Sequence, residues 1–365
     1  MKNRLVAPLA ALALLAPLRL PAQQWGRTAL GLEGGFTYIK YAGTKFFDSE
    51  LHLPGFSDGT ALPTPPSLYL IVPMSGRLAL EPSVTVGLSS NLFFWGTHFQ
   101  LGLRADYLIT STFYGAVGGV LVRQAGGNGV TNTSGYSVGA QAGLGARFHL
   151  TNVIDGRAEA QAQFWGKTRV AVAQNAYSLM LGFSAPLDGT PASRTVGGDA
   201  RHTHRGIRLG IAGGLSDEHI TNGSDQLQLS VPGSGTQAPF VSPPAFFVTI
   251  PLSDRLTLEP GFELHRTHYN GFTYATGALA THLNLALGSG WYGGAGLVEV
   301  TKKATRTPIV GLTGLSVQGG YEFKLAGAWD GRLELSHIIL ARQRAWHEPP
   351  LSVTSLMVGA TVPVN

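Results

Sequence analysis

Pro65-Pro66-Ser67-Leu68-Tyr69-Leu70-Ile71-Val72-Pro73-Met74-Ser75-Gly76-Arg77-Leu78-Ala79-Leu80-Glu81-Pro82 returns 178 residues later as Pro243-Pro244-Ala245-Phe246-Phe247-Val248-Thr249-Ile250-Pro251-Leu252-Ser253-Asp254-Arg255-Leu256-Thr257-Leu258-Glu259-Pro260, with nine of the eighteen positions identical. Working outward, Leu30-Gly31-Leu32-Glu33-Gly34-Gly35-Phe36 reappears as Leu209-Gly210-Ile211-Ala212-Gly213-Gly214-Leu215, and Asp155-Gly156-Arg157-Ala158-Glu159 as Asp330-Gly331-Arg332-Leu333-Glu334. Ser178-Leu179-Met180-Leu181 reappears as Ser355-Leu356-Met357-Val358. A repeat this long is a duplicated domain; solenoid units run to about 20–50 residues.

The quoted stretch also shows what the repeat is made of. From Arg77 to Ser89, Leu78, Leu80, Pro82, Val84, Val86 and Leu88 share one parity, against Ala79, Glu81, Ser83, Thr85 and Gly87 on the other. Period two over a dozen residues is a strand with one apolar and one polar face. Phe99, Leu101, Leu103, Ala105 and Tyr107 likewise oppose Gln100, Gly102, Arg104 and Asp106, and Ala158, Ala160, Ala162 and Phe164 oppose Arg157, Glu159, Gln161 and Gln163. Such strands are predicted at 29–39, 66–73, 77–89, 97–108, 112–123, 135–150, 156–166 and 177–187. The second copy gives 208–216, 244–251, 255–266, 275–288, 291–301, 312–325, 331–341 and 353–364. Most reach the ~9–11 residues that a tilted strand needs to cross a bilayer. Tight turns such as Met74-Ser75-Gly76 alternate with longer loops, of which 40–65 and 217–243 are the longest expected.

The chain opens Met1-Lys2-Asn3-Arg4, continues with an apolar run from Leu5 to Leu18, and reaches Leu20-Pro21-Ala22. That order is a secretory signal, expected to cover 1–22. No apolar run reaches the ~20 residues of a spanning helix. Charged residues are 13% of the chain, beside 49 glycines and no cysteine, where soluble domains carry about 25% charge. The formal charge of +5 includes Lys2, Arg4 and Arg19 of the leader, so no clustered basic face argues for nucleic acid. Low charge, much glycine and alternation without bulk hydropathy fit strands facing lipid on one side.

On the exported N-terminus, the alternating strands, the uneven connections and the Gly-rich first strand Leu30–Phe36, residues 25–365 resemble the bacterial outer-membrane β-barrel superfamily, and in particular a tandem duplication of its small eight-stranded barrels. The chain departs from that pattern in ending Val362-Pro363-Val364-Asn365 instead of on an aromatic residue. The resemblance implies short periplasmic turns and long outer loops. The expected fold is all-β: an antiparallel transmembrane barrel of sixteen strands as an 8+8 duplication, with repeats at 23–187 and 207–365 and a linker at 188–206. Two closures fit, one sixteen-stranded barrel or two tandem eight-stranded barrels, and the single barrel is the leading one.

The candidate chemistry is a lumen charge network of Arg77, Glu81, Arg104, Asp106, Arg157 and Glu159, with Arg255, Glu259, Arg332 and Glu334 in the second copy. Charge inside a narrow barrel must be paired, so a packed ion network is the leading reading and a solute-selecting constriction the rival. Phe93, Trp95, Trp165, Trp291 and Trp346 read as aromatics of the membrane interface. His202-Thr203-His204, with Asp199 before it and Asp217, Glu218 and His219 after, reads as solvated linker and not as a metal site. No nucleophile elbow is present. We therefore expect a non-enzymatic outer-membrane protein with no cofactor or metal, whose partners are the lipid bilayer and small solutes and not nucleic acid. The leading function is a passive pore or structural membrane protein. The alternatives are a non-conducting barrel whose loops bind a partner and, ranked third, an outer-membrane enzyme.

Overall fold

The protein's structure, a computed structural model, describes residues 25–41, 47–52, 68–90, 95–127, 132–151, 153–166, 174–187, 206–220, 226–230, 246–269, 272–304, 310–341 and 351–364. These form strands β1 (Ala29–Tyr41), β2 (Phe47–His52), β3 (Leu68–Pro73), β4 (Leu78–Ser90), β5 (Trp95–Leu108), β6 (Phe113–Gly127), β7 (Asn132–His149), β8 (Asp155–Trp165) and β9 (Gln174–Pro186) in the first repeat. The second has β10 (Arg208–Ile220), β11 (Gln226–Ser230), β12 (Phe246–Pro251), β13 (Leu256–Tyr269), β14 (Phe272–Gly288), β15 (Trp291–Ala304), β16 (Val310–Ala326), β17 (Trp329–Leu340) and β18 (Leu351–Pro363). All pairings are antiparallel. The duplication is kept in register: Glu81 faces Arg104 as Glu259 faces His282, and Ala29 faces Pro186 as Arg208 faces Pro363.

Short connections gather at one end. In three of them a Ser or Thr at the second turn position accepts a strand's first amide: Leu78 N–H donates to Ser75 Oγ at 3.1 Å, Leu256 to Ser253 Oγ at 3.1 Å and Phe113 to Thr110 Oγ1 at 2.9 Å. These are side-chain-closed turns, which need no glycine. The β14–β15 turn is tighter and needs positive φ: Gly288, Ser289 and Gly290 sit at 103°, 52° and 89°, which glycine adopts freely.

Whether the ring has eight or sixteen members depends on height. At the turn end, β1 pairs with β3 over Ala29–Leu32 and β3 with β4, so β1, β3 and β4–β9 close an eight-stranded ring through the β1–β9 ladder. There, β10, β12 and β13–β18 close a second through β10–β18. Toward the loop end β1 leaves β3 and pairs with β2 over Gly35–Lys40, and β2 pairs with β13 of the other repeat, Thr267 against Glu50. The converse exchange pairs β11 with β10 and with β4, Leu229 against Leu88. At that level the ring runs β1, β2, β13–β18, β10, β11, β4–β9, sixteen strands in all. The fold is a barrel with one wide mouth on two eight-stranded legs. Both closures expected from the sequence are present, at different depths.

The segments expected as loops at 40–65 and 217–243 are shorter than that. β1 runs to Tyr41 and β10 to Ile220, and β2 and β11 lie within the supposed loops. The reason is that β2 and β11 are half-length strands. They complete only the mouth, while β3 and β12 complete only the legs.

The faces are inverted relative to a water-soluble protein. Val138 is 72% exposed and Leu297 68%, and Leu103, Leu144, Val117 and Leu335 stand beside them in an apolar outer belt. Glu33, Glu81, Arg104, Asp106, Arg157, Glu159, Glu259, Arg332 and Glu334 are buried inside. An apolar surface this continuous far exceeds the few hundred Å² a soluble monomer exposes, and its natural solvent is lipid. Among the described residues no helix is long and apolar enough to cross a membrane; the strands do so.

Candidate functional site

The lumen of each leg is built by strand parity, which sends every second residue inward. In the first leg, β1 contributes Glu33, β4 Glu81, β5 Arg104 and Asp106, β6 Tyr114, and β8 Arg157 and Glu159. Arg104 grips Glu159 with two hydrogen bonds, Nη1–Oε1 at 2.5 Å and Nη2–Oε2 at 2.7 Å. It also lies 2.9 Å from Glu81 and 3.1 Å from Asp106. Arg157 donates to the other oxygen of Glu81 at 2.6 Å and to Glu33 from Nε at 2.9 Å. Tyr114 O–H donates to Glu159 at 2.5 Å, and the Arg157 guanidinium lies 3.7 Å over the Tyr69 ring. Glu81 thus joins the two arginines into one network of two cations and four carboxyl groups. Eight strands enclose a lumen that side chains just fill, and this network fills it.

The second leg keeps the plan with fewer charges. Arg332 holds Glu259 by two hydrogen bonds, 2.6 and 2.8 Å, and donates to Glu334, which also accepts from Tyr292 O–H at 2.5 Å. Where the first leg has Glu33, Arg104 and Asp106, the second has Ala212, His282 and Asn284. Neutral groups replace the lost ions: Gln318 donates to Glu259 at 3.3 Å and to Asn284 at 2.9 Å. Phe247 stands for Tyr69 and takes Arg332 against its ring at 4.5 Å. A cavity of about 20 Å³ remains among Glu259, His282, Gln318 and Arg332, room for about one water.

Glycine makes space for these rings. A Cβ on Gly31 would meet the Tyr69 ring at 2.2 Å, and one on Gly210 the Phe247 ring at 2.2 Å; Gly145 and Gly320 leave the same space for Tyr114 and Tyr292.

Of the residues predicted for the network, Glu81, Arg104, Asp106, Arg157, Glu159, Glu259, Arg332 and Glu334 come together in the lumens. Arg77 and Arg255 do not. Each is exposed as the last residue of a tight turn, one position before β4 or β13 begins, where parity no longer fixes direction. Glu33, Tyr114, Tyr292 and His282 were missed. Glu33 had a signal, a single charge sharing parity with Gly31 and Gly35 in an apolar strand. A smaller cluster lies nearer the turns: Asp155 accepts from Arg147 at 3.1 Å and meets His149 at 2.5 Å, and its repeat mate Asp330 pairs with Arg208 and with Lys324 at 2.9 Å.

Among the aromatics, Trp291 stands on the outer face at 58% exposure. Trp165 does not: it is 5% exposed, packed inward with Ile39, Val120, Val122 and Ala176. It shares parity with Arg157, Glu159, Gln161 and Gln163, which sends it into the lumen. Trp95 begins β5, and Phe93, Trp346 and His202-Thr203-His204 lie outside the described residues. Asp217 and His219 are exposed on β10, and Glu218 between them is buried.

No family model matches the chain, and no curated protein does. Among solved structures, Neisserial surface protein A covers 44% of this chain with 96% of its own length, at 11% identity and a TM-score of 0.30. The monoaromatic hydrocarbon channel CymD covers 93% of this chain with 89% of its own, at 11% identity and a TM-score of 0.30. A Pseudomonas aeruginosa FadL homologue covers 93% with 91%, at 12% identity and a TM-score of 0.31. Strands closed into rings, with charge inside and leucine outward, make the fold of a transmembrane β-barrel.

Proposed function

We propose that the protein is an outer-membrane barrel, exported by its 1–22 leader, with its wide mouth at the cell surface and two closed legs toward the periplasm. It is a non-conducting membrane protein at rest. The observation that supports this is the state of the legs, each filled by a hydrogen-bonded Arg–Glu network and stacked rings. Its working surface is then the mouth and the loops above it, and its partner a surface ligand. The lumen charges serve as plugs and not as a selectivity filter.

A second reading, a narrow pore that opens when a plug rearranges, is favoured by the thinner second leg, with one arginine and the small cavity beside His282. Planar-bilayer recording of the refolded protein tests both. The closed reading expects no large steady steps from the intact protein. Stable ohmic steps would overturn it, and steps that appear only in Arg332→Ala would favour the second reading.

A further inference from the structure

The two legs lie side by side, and their seam is asymmetric. Leu30 on β1, Phe183 and Ala185 on β9, Leu209 on β10, and Ala360 and Val362 on β18 pack across it. On one flank the seam is sealed by Trp329, which is buried and donates its indole N–H across the repeats to the Ala185 carbonyl at 3.2 Å. The duplication places Ile154 at the mate position, by the alignment of Asp155 with Asp330. On that flank an isoleucine stands where the other has an indole, and a cleft of about 520 Å³ is left, lined chiefly by Leu150, Ile154, Phe183, Leu209, Phe246 and Phe262.

We propose that this cleft is a binding site for one phospholipid acyl chain. Its size lies within the ~300–1,000 Å³ typical of small-ligand sites. It rises from the β7–β8 turn to Phe262, along the outward faces of β9, β12 and β13, so its neighbours are the acyl chains of the leaflet at the turn end. The lining carries no charge. Its one hydroxyl, that of Thr151, already accepts from the amides of Val153 and Ile154 at 3.2 and 3.1 Å. An apolar space of this kind does not hold water, and nothing in it recognises a headgroup. The site therefore selects a chain by shape, and the seam is completed on one flank by Trp329 and on the other by lipid.

The inference rests on the membrane reading above, and the test separates the two. The mature protein is refolded into phosphatidylethanolamine or phosphatidylglycerol vesicles, insertion is scored by the heat-modifiable band, and extracted protein is weighed by native mass spectrometry. Failure to insert would count against the membrane reading itself. Given insertion, one retained phospholipid per chain is expected with either headgroup, and Ile154→Trp, which copies the sealed flank, should lower the retained fraction at least fivefold. Trp329→Ala should add a second adduct. An inserted wild type without adduct, an adduct unaffected by Ile154→Trp, or a dimer mass in its place would overturn the proposal. Should Ile154→Trp not insert, the Trp329→Ala result decides.

Discussion

Glu81 holds two guanidinium groups at once, one on each oxygen, and that is why it matters more than its neighbours. Removing one partner from a buried ion pair leaves an unpaired charge and costs about 3–5 kcal/mol. Glu81→Ala should therefore lower the stability of the vesicle-refolded protein by about that much in urea unfolding, with no new conductance. A large change in ion selectivity at unchanged stability would reverse the ranking of plug over filter. The two tryptophans make a second comparison. Trp165→Ala removes a ring from the packed lumen and should cost about 3–5 kcal/mol, while Trp291→Ala, on the lipid face, should cost less than half as much in the same assay. Parity alone distinguishes them. Trp165 continues the inward series of Arg157 to Gln163, whereas its aromatic character and its place at a strand end suggest an interface residue.

At the scale of elements, most strands were legible because each carries a dozen residues of alternation against a fixed lipid face. Leu78 to Val86 and Leu356 to Val358 keep the faces that their parity predicts, whereas Val362, on the same parity, is buried because it packs into the seam between the legs. The half-strands were not legible. Phe47-Asp48-Ser49-Glu50-Leu51-His52 sets Phe47 and Leu51 against Asp48, Glu50 and His52, but over only six residues and with Ser49 breaking the apolar face. Gln226-Leu227-Gln228-Leu229-Ser230 does alternate, but over only five residues between Gly- and Pro-rich stretches. The inward glycines were visible as glycines, but the rings they admit come from neighbouring strands and depend on register. Gly210→Val should force the Phe247 ring aside and lower stability by about 1–3 kcal/mol, the usual cost of overpacking. Adding Phe247→Ala should recover part of that loss, giving a non-additive pair in a double-mutant cycle. Additive losses would show that the glycine and the ring do not meet.

For the whole molecule, the single barrel favoured from the sequence holds only at the mouth, and below it the chain closes as two eight-stranded barrels; no local pattern could decide this, because duplication preserves the ladders inside each repeat under either closure. What decides is the long-range exchange of two short strands, β2 onto β13 and β11 onto β4. The exchange gives a mouth twice the strand count of each leg and explains how plugged eight-stranded lumens coexist with a broad outer end. It also makes the repeats inseparable at the loop end, and that is directly measurable. The chain has no cysteine, so a pair introduced at Ser49 and His268, opposite each other in the β2–β13 ladder, has no competing thiol. Facing ladder positions are close enough for a disulfide. With a protease site placed in the 188–206 linker, the oxidised Ser49→Cys/His268→Cys protein should, after cleavage and boiling, run as one full-length species that separates into two halves on reduction. Two halves under oxidising conditions, from protein that has inserted into vesicles, would contradict the shared mouth and leave two independent eight-stranded barrels.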